Sequence, residues 1–249
     1  MKIKNLEINL VQYGNKKGKN IVLLHGWGQN TDVMDILGKR LEKYFYVTNI
    51  DMPGFGKSDK LEKALTIYEY EEIFEEIMTQ LKIKKPILIG HSFGGRIAII
   101  YASKKEVEKL VLLAAPFRKM IKELTLKVRI LKALKKIPIL NKFEDYAKSK
   151  IGSTDYKNAD PIMRETLVNI VNEDLTECLR KIQEPTLLIW GTNDTAVPIE
   201  EARYAKDIMK NAGLVELENS THYAFVERKE RVVRILENFF GIEEPRRKI

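Results

Sequence analysis

Cysteine is nearly missing from this sequence: Cys178 stands alone among 249 residues. One thiol closes no internal disulfide, and with three histidines it cannot assemble a cysteine-rich zinc cluster, so a reducing compartment and no metal are expected. Glycine and proline are sparse at 14 and 8, and no fixed period runs through the chain, which excludes collagen-like arrays and solenoids. Nowhere do eighteen apolar residues follow one another, and Met1 to Asn5 leads into an alternating segment rather than the apolar core of a leader, so a soluble, cytoplasmic protein is expected. Acidic charge is in the minority, 35 Asp and Glu against 43 Lys and Arg, for a net charge of +8. The imbalance is local, because eleven basic and three acidic residues between Arg118 and Lys150 account for the whole excess. With 44% apolar residues, the chain can bury the core of one large α/β domain.

Short aliphatic runs alternate with helical patterns, the signature of βα units around a mainly parallel sheet. Leu6 to Tyr13 reads as an early strand. Ile21–Leu24, Phe45–Ile50, Ile87–Ile89, Leu110–Leu113, Thr186–Trp190 and Leu214–Leu217 read as buried strands bounded by Gly, Pro, Asn or Asp. The spacing predicts a helix over 66–82, opened by a Thr66/Glu69 capping box, with Ile67, Tyr70, Ile73, Phe74, Ile77 and Leu81 on one face. Helical patterns also cover 93–103, 199–210 and 227–240. The rhythm breaks between Pro116 and Glu184, where no strand is legible. The expected organisation is a core of residues 1–116 and 184–249 with a helical lid inserted at 117–183. The lid begins with an amphipathic helix over 118–136, with Ile121, Leu124, Val128 and Leu131 on one stripe and Arg118, Lys122, Arg129, Lys132 and Lys136 on another. A second helical pattern covers Ile162 to Val171.

Gly90-His91-Ser92-Phe93-Gly94 follows one of these strands and opens a helix, the context of a nucleophile elbow. A serine on so tight a turn needs small residues two before and two after it, which Gly90 and Gly94 supply. On the pattern alone, a glycine-rich strand-to-helix turn could also hold a phosphate. A serine hydroxyl needs a base, and the base needs a group that fixes its tautomer. His25 ends an early strand, and His91 adjoins the serine with its side chain directed away from Oγ. His222, after the last core strand, is therefore the candidate base, and Asp194, directly after the strand Thr186–Ile189, is the candidate acid. The N–H groups of Phe93 and Trp27, the latter in His25-Gly26-Trp27-Gly28, are placed to receive an oxyanion.

These segments, with Asp51-Met52-Pro53-Gly54-Phe55-Gly56-Lys57-Ser58 and Gly191-Thr192-Asn193-Asp194, resemble the α/β-hydrolase superfamily over nearly the whole chain. Within it the arrangement looks like the small capped carboxylesterases and the C–C bond hydrolases. The resemblance implies an α/β-hydrolase fold, a Ser92–Asp194–His222 triad and no cofactor. Dehalogenases and epoxide hydrolases are disfavoured, since they place aspartate where this chain has Ser92. His25 is expected to shape its loop, and Asp51 to bond loop N–H groups, since its surroundings lack the G-x-G-x-x-G and P-loop spacings. Cys178 and Asp59 receive no role.

Trp27, Phe93, Trp190, Val197 and Tyr223 are the expected pocket walls, suited to a small or medium apolar acyl or aromatic group on an ester or related carbonyl compound. A C–C hydrolase of diketones would use the same three residues, and a binding protein would keep the fold without turnover. The basic lid face reads first as a solvated surface. It could also attract anionic substrates or touch an anionic membrane. Nucleic acid is not an expected partner, since aromatics are not interleaved with the basic residues. Oligomeric state is not legible.

Overall fold

The computed structural model describes residues 1–119 and 159–242. A small antiparallel hairpin, β1 (Lys2–Ile3) and β2 (Leu6–Glu7), precedes the main sheet. That sheet contains β3 (Leu10–Gly14), β4 (Asn20–Leu24), β5 (Tyr46–Ile50), β6 (Ile87–His91), β7 (Lys109–Leu113), β8 (Thr186–Gly191) and β9 (Ala212–Leu217). Its order is β3-β5-β4-β6-β7-β8-β9, parallel throughout except for β3, which runs against β5. The mainly parallel sheet expected from the sequence is thus present. The single early strand is not: Leu6 to Tyr13 is divided between two sheets. The Ile8 N–H donates to the Met1 carbonyl at 2.7 Å, and the Asn9 amide donates to Asp51 Oδ2 at 2.7 Å, which turns the chain between β2 and β3.

Alternate strand residues face opposite sides of the sheet. Leu23, Ile89, Val111 and Ile189 point to one face, against α1 (Thr31–Leu41), α7 (Ala224–Glu227) and α8 (Lys229–Phe240). Val22, Leu88, Leu112 and Leu188 point to the other, against α2 (Ile67–Gln80), α3 (Phe93–Ala102) and α6 (Ile199–Ile208). The expected capping box opens α2: Thr66 accepts from the Glu69 N–H, and Glu69 accepts from the Thr66 N–H. From β4 the chain passes to β5 on one side and then to β6 on the other, so the loops after β4 and β6 diverge at the carboxyl ends of the strands. Ligand sites in open α/β sheets form at such a reversal.

The amphipathic helix expected over 118–136 lies outside the described residues apart from Arg118 and Lys119. Arg118, expected on its basic stripe, instead makes a two-pronged ion pair with Glu201 of α6, both bonds 2.7 Å. Farther along come α4 (Pro161–Asn172), matching the expected second helix, and α5 (Thr176–Lys181), which carries Cys178. A buried guanidinium from α3 holds the chain after β7 and the turn after α4: Arg96 donates to the Pro116 carbonyl at 3.0 Å and to the Glu173 carbonyl at 2.7 Å. Burial holds its pKa down, at about 10. Among the described residues, no helix is long and apolar enough to cross a membrane.

Candidate active site

Ser92 sits between β6 and α3 with φ 48° and ψ −110°, a conformation that L-residues avoid and that costs about 1–3 kcal/mol. The surroundings enforce it. The Ser92 N–H donates to the Leu113 carbonyl at 2.9 Å, tying the turn to β7. Side chains at the flanking glycines would strike backbone: a Cβ at Gly90 would lie 2.6 Å from Gly95 Cα, and one at Gly94 would lie 2.6 Å from the His25 carbonyl oxygen. Two other N–H groups of the first helical turn are spent, Gly94 on His25 O at 3.0 Å and Arg96 on Ser92 O at 3.3 Å. The N–H of Phe93 has no acceptor among the described residues, and neither has that of Trp27.

Two further strand ends bring up the other groups. Asp194 follows β8, and its side chain is fully buried. One carboxylate oxygen, Oδ1, accepts from the Ala196 and Val197 N–H groups, each at 2.8 Å; the other, Oδ2, lies 2.8 Å from His222 Nδ1. A carboxylate only accepts here, so Nδ1 carries the hydrogen, and in the neutral ring Nε2 holds the lone pair. His222 follows β9, and its ring centroid lies 5.0 Å from that of His91, the residue before Ser92. Asp194 and His222 are therefore in direct contact, and the His222 ring meets that of His91, the residue next to Ser92.

The loop after β4 is fixed by His25. Its Nε2 accepts from the Met52 N–H at 3.0 Å, so Nδ1 carries the proton and donates to the Gly26 carbonyl at 2.7 Å. Burial lowers its pKa. A neutral imidazole with both nitrogens engaged shapes its loop and has no proton to exchange with a substrate. Asp51 accepts from the Thr31 and Lys57 N–H groups at 2.7 and 2.9 Å, the loop-bonding behaviour expected of it.

The expected pocket walls separate into two groups. Trp27 is half-buried and meets the rings of Phe55 and Phe93 edge-on, with centroids 4.9 and 5.7 Å away. Tyr223 is 38% exposed, its hydroxyl accepting from Gln29 at 2.9 Å. Phe93 and Trp190 are buried. The Trp190 indole N–H donates to the Val197 carbonyl at 2.8 Å, and Val197 in turn holds Asp194, so this tryptophan braces the acid's loop from below. Gln29, which links the Trp27 loop to the His222 loop, was not singled out from the sequence, since a loop glutamine carries no pattern. Among the described residues, no three His, Cys, Asp or Glu side chains gather as a metal would require.

Comparison with known proteins gives a consistent picture. Residues 19–137 match the family model described as alpha/beta hydrolase fold, and residues 169–243 match a second, described as TAP-like protein. The chain is 26% identical to the AB hydrolase superfamily protein YisY of Bacillus subtilis, over 89% of this chain and 91% of that one. It is 26% identical to a pimeloyl-[acyl-carrier protein] methyl ester esterase of Aliivibrio fischeri, over 90% of this chain and 95% of that one. Among solved structures, a bromoperoxidase from Bacillus anthracis superposes with a TM-score of 0.76 at 21% identity, covering 95% of this chain and 96% of the other.

Proposed function

Since this chain belongs to the α/β-hydrolase superfamily, we propose that it is a serine hydrolase that cleaves carboxylic esters through an acyl-enzyme, with Ser92 as nucleophile, His222 as base and Asp194 as the acid that orients it. The observation that carries this reading is the bond from His222 Nδ1–H to the buried Asp194 carboxylate at 2.8 Å, with the His222 ring against that of His91, the neighbour in sequence of a serine held in a strained elbow. That bond leaves Nε2 as the proton acceptor, the tautomer that acyl transfer requires. Ser92 Oγ attacks the ester carbonyl as its proton passes to His222 Nε2, and the oxyanion accepts from the N–H groups of Phe93 and Trp27. Collapse of the tetrahedral intermediate breaks the C–O bond, and the alcohol leaves with the proton from His222. Water, deprotonated by the same histidine, then attacks the acyl-enzyme and frees the acid. Every proton and electron pair is supplied by substrate, water and these residues, so the sequence of steps calls for no cofactor.

The substrate reading is a small or medium acyl or aromatic group against Trp27, Val197 and Tyr223, with Phe93 and Trp190 behind them. The segment 117–183 is proposed as a cap over this pocket. In support, a Cβ at Gly54 would lie 2.8 Å from Met163 Sδ of α4, and Thr166 of α4 accepts from the Leu65 N–H at 3.2 Å. The similarity to a methyl ester esterase supports an ester over other acyl compounds.

Hydrolysis of p-nitrophenyl esters of increasing acyl length by the wild type, Ser92→Ala and His222→Ala tests the proposal. Saturable turnover in the wild type and only background hydrolysis in both variants is expected, with an optimum chain length that sizes the pocket. A wild type no faster than the variants on every ester refutes the esterase reading and directs attention to C–C substrates or to binding without turnover.

A further inference from the structure

We propose that His91, the residue before the nucleophile, is a positioning residue that locks the loop of the base His222 onto the elbow of Ser92, an inference that rests on the triad reading above. Its side chain is buried, and Nε2 lies 3.1 Å from the main-chain carbonyl oxygen of His222. A carbonyl only accepts, so Nε2 carries the hydrogen and Nδ1 is bare. Burial, aided by the neighbouring His222, pushes the pKa of His91 down to about 3. The ring therefore stays neutral at the pH of ester hydrolysis: it neither competes for the serine proton nor sets a second cation beside the imidazolium that forms on His222.

The imidazole is retained at a cost. Its Nδ1 is buried without a partner among the described residues, a loss that a leucine or phenylalanine of similar volume would not carry. Packing alone would favour those residues, since the ring rests against Phe225 and Tyr223 with centroids 4.8 and 5.4 Å away. What the imidazole adds is the bond to the His222 carbonyl. Three loops meet on this one ring: the elbow through the backbone of His91 itself, the base loop through that bond, and the loop after β4 through Gly26, where a Cβ would lie 2.6 Å from Nδ1. Asp194 fixes the His222 ring at Nδ1, whereas His91 fixes the backbone on which that ring pivots.

The test compares His91→Leu, which fills the space without a donor, with His91→Gln, whose amide nitrogen can reach the same carbonyl. The readouts are kcat and KM on the best p-nitrophenyl ester, the rate at which a fluorophosphonate labels Ser92, and Tm. In His91→Leu, kcat and labelling rate fall by roughly 10- to 100-fold, as expected when reacting groups shift by a fraction of an ångström, while KM stays within about twofold and Tm changes little, the loss of the bond to the His222 carbonyl being offset by removal of the unpaired Nδ1. His91→Gln recovers most of the loss, which a purely space-filling role would not allow. If His91→Leu does not fold, His91→Met takes its place. Wild-type kcat in the apolar variant, or equal losses in the apolar and Gln variants, overturns the inference while leaving the triad reading standing. A wild type that is not labelled at Ser92 overturns the triad reading and this inference together.

Discussion

Replacing Asp194 by asparagine is the most informative single perturbation of the proposed site. The carboxylate makes three hydrogen bonds, two from the backbone N–H groups of Ala196 and Val197 to Oδ1 and one from His222 Nδ1–H to Oδ2. Asparagine keeps one acceptor oxygen and gains an NH2 group. With its oxygen toward the two N–H groups, all of them remain satisfied, and the NH2 faces His222. The opposite orientation sets NH2 against two buried donors, at about 1–3 kcal/mol for each one left unpaired, so the first is favoured by roughly 2–6 kcal/mol. In that orientation Nδ1 must accept, and the imidazole hydrogen moves to Nε2, the atom that has to take the proton of Ser92. The serine then has no base. Loss of the right tautomer costs on the order of 10^4 in kcat in the worked Ser-His-Asp example, so a fall of about 10^3- to 10^4-fold, or ~4–5.5 kcal/mol of barrier, is expected here. Stability should change little, because every backbone N–H keeps its acceptor. The assay is steady-state ester hydrolysis beside a thermal melt, with the His222 tautomer followed by 15N NMR. A kcat within about tenfold of wild type in a folded protein would refute the reasoning.

Other outcomes follow from single contacts. Gly26→Ala sets a Cβ 2.6 Å from Nδ1 of the buried His91 ring, which has nowhere to recede; kcat should fall by about 10- to 100-fold, and over-packing should cost about 1–3 kcal/mol in urea melts, so unchanged values would contradict the contact. Trp190→Phe removes the donor to the Val197 carbonyl and should cost about 1 kcal/mol, or roughly 2–4 °C in Tm for a chain of this size. A modest loss of kcat should accompany it as the Asp194 loop slackens, and an identical melt and rate would speak against the brace. Glu71 is buried, with Lys104 Nζ 2.5 Å from one oxygen and no partner for the other among the described residues, and burial raises its pKa above the ordinary value. Between those two values the unfolded chain has released a proton that the fold still holds, so wild-type stability falls as pH rises through that window. Relative to Glu71→Gln, wild type should therefore lose stability in urea melts as pH rises from about 4 toward neutrality; a flat or rising difference would refute the assignment.

Much of this was legible because parallel strands are buried on both faces. Ile21–Leu24 and Thr186–Trp190 are continuous apolar runs that lie within β4 and β8. Helix α2 announced itself through Thr66 and Glu69. The helix Thr31–Leu41 is not legible, although Asn30 caps it and Met34, Leu37 and Leu41 are its buried stripe; Gly38 and Asp35 in its interior blur the helical signal. The split of the first strand was invisible because it depends on Asn9 finding Asp51 forty-two positions later. At the site, the glycine-flanked elbow marks Ser92, and positions after later strands mark Asp194 and His222, because loops at the carboxyl ends of parallel strands face a common crevice. The bond between Asp194 and His222 is not legible, nor is the part played by His91, since a histidine beside a serine reads the same whether its ring is exposed or bonded to a carbonyl 131 residues away.

The central claim is that Ser92 is a nucleophile activated by His222. Incubation with a fluorophosphonate, followed by peptide mass spectrometry, tests it without knowledge of the natural ester. The account predicts one adduct per chain, on the peptide containing Ser92, formed by the wild type, slowed to background by His222→Ala and absent in Ser92→Ala. No adduct, an adduct on another serine, or labelling indifferent to His222 would contradict it.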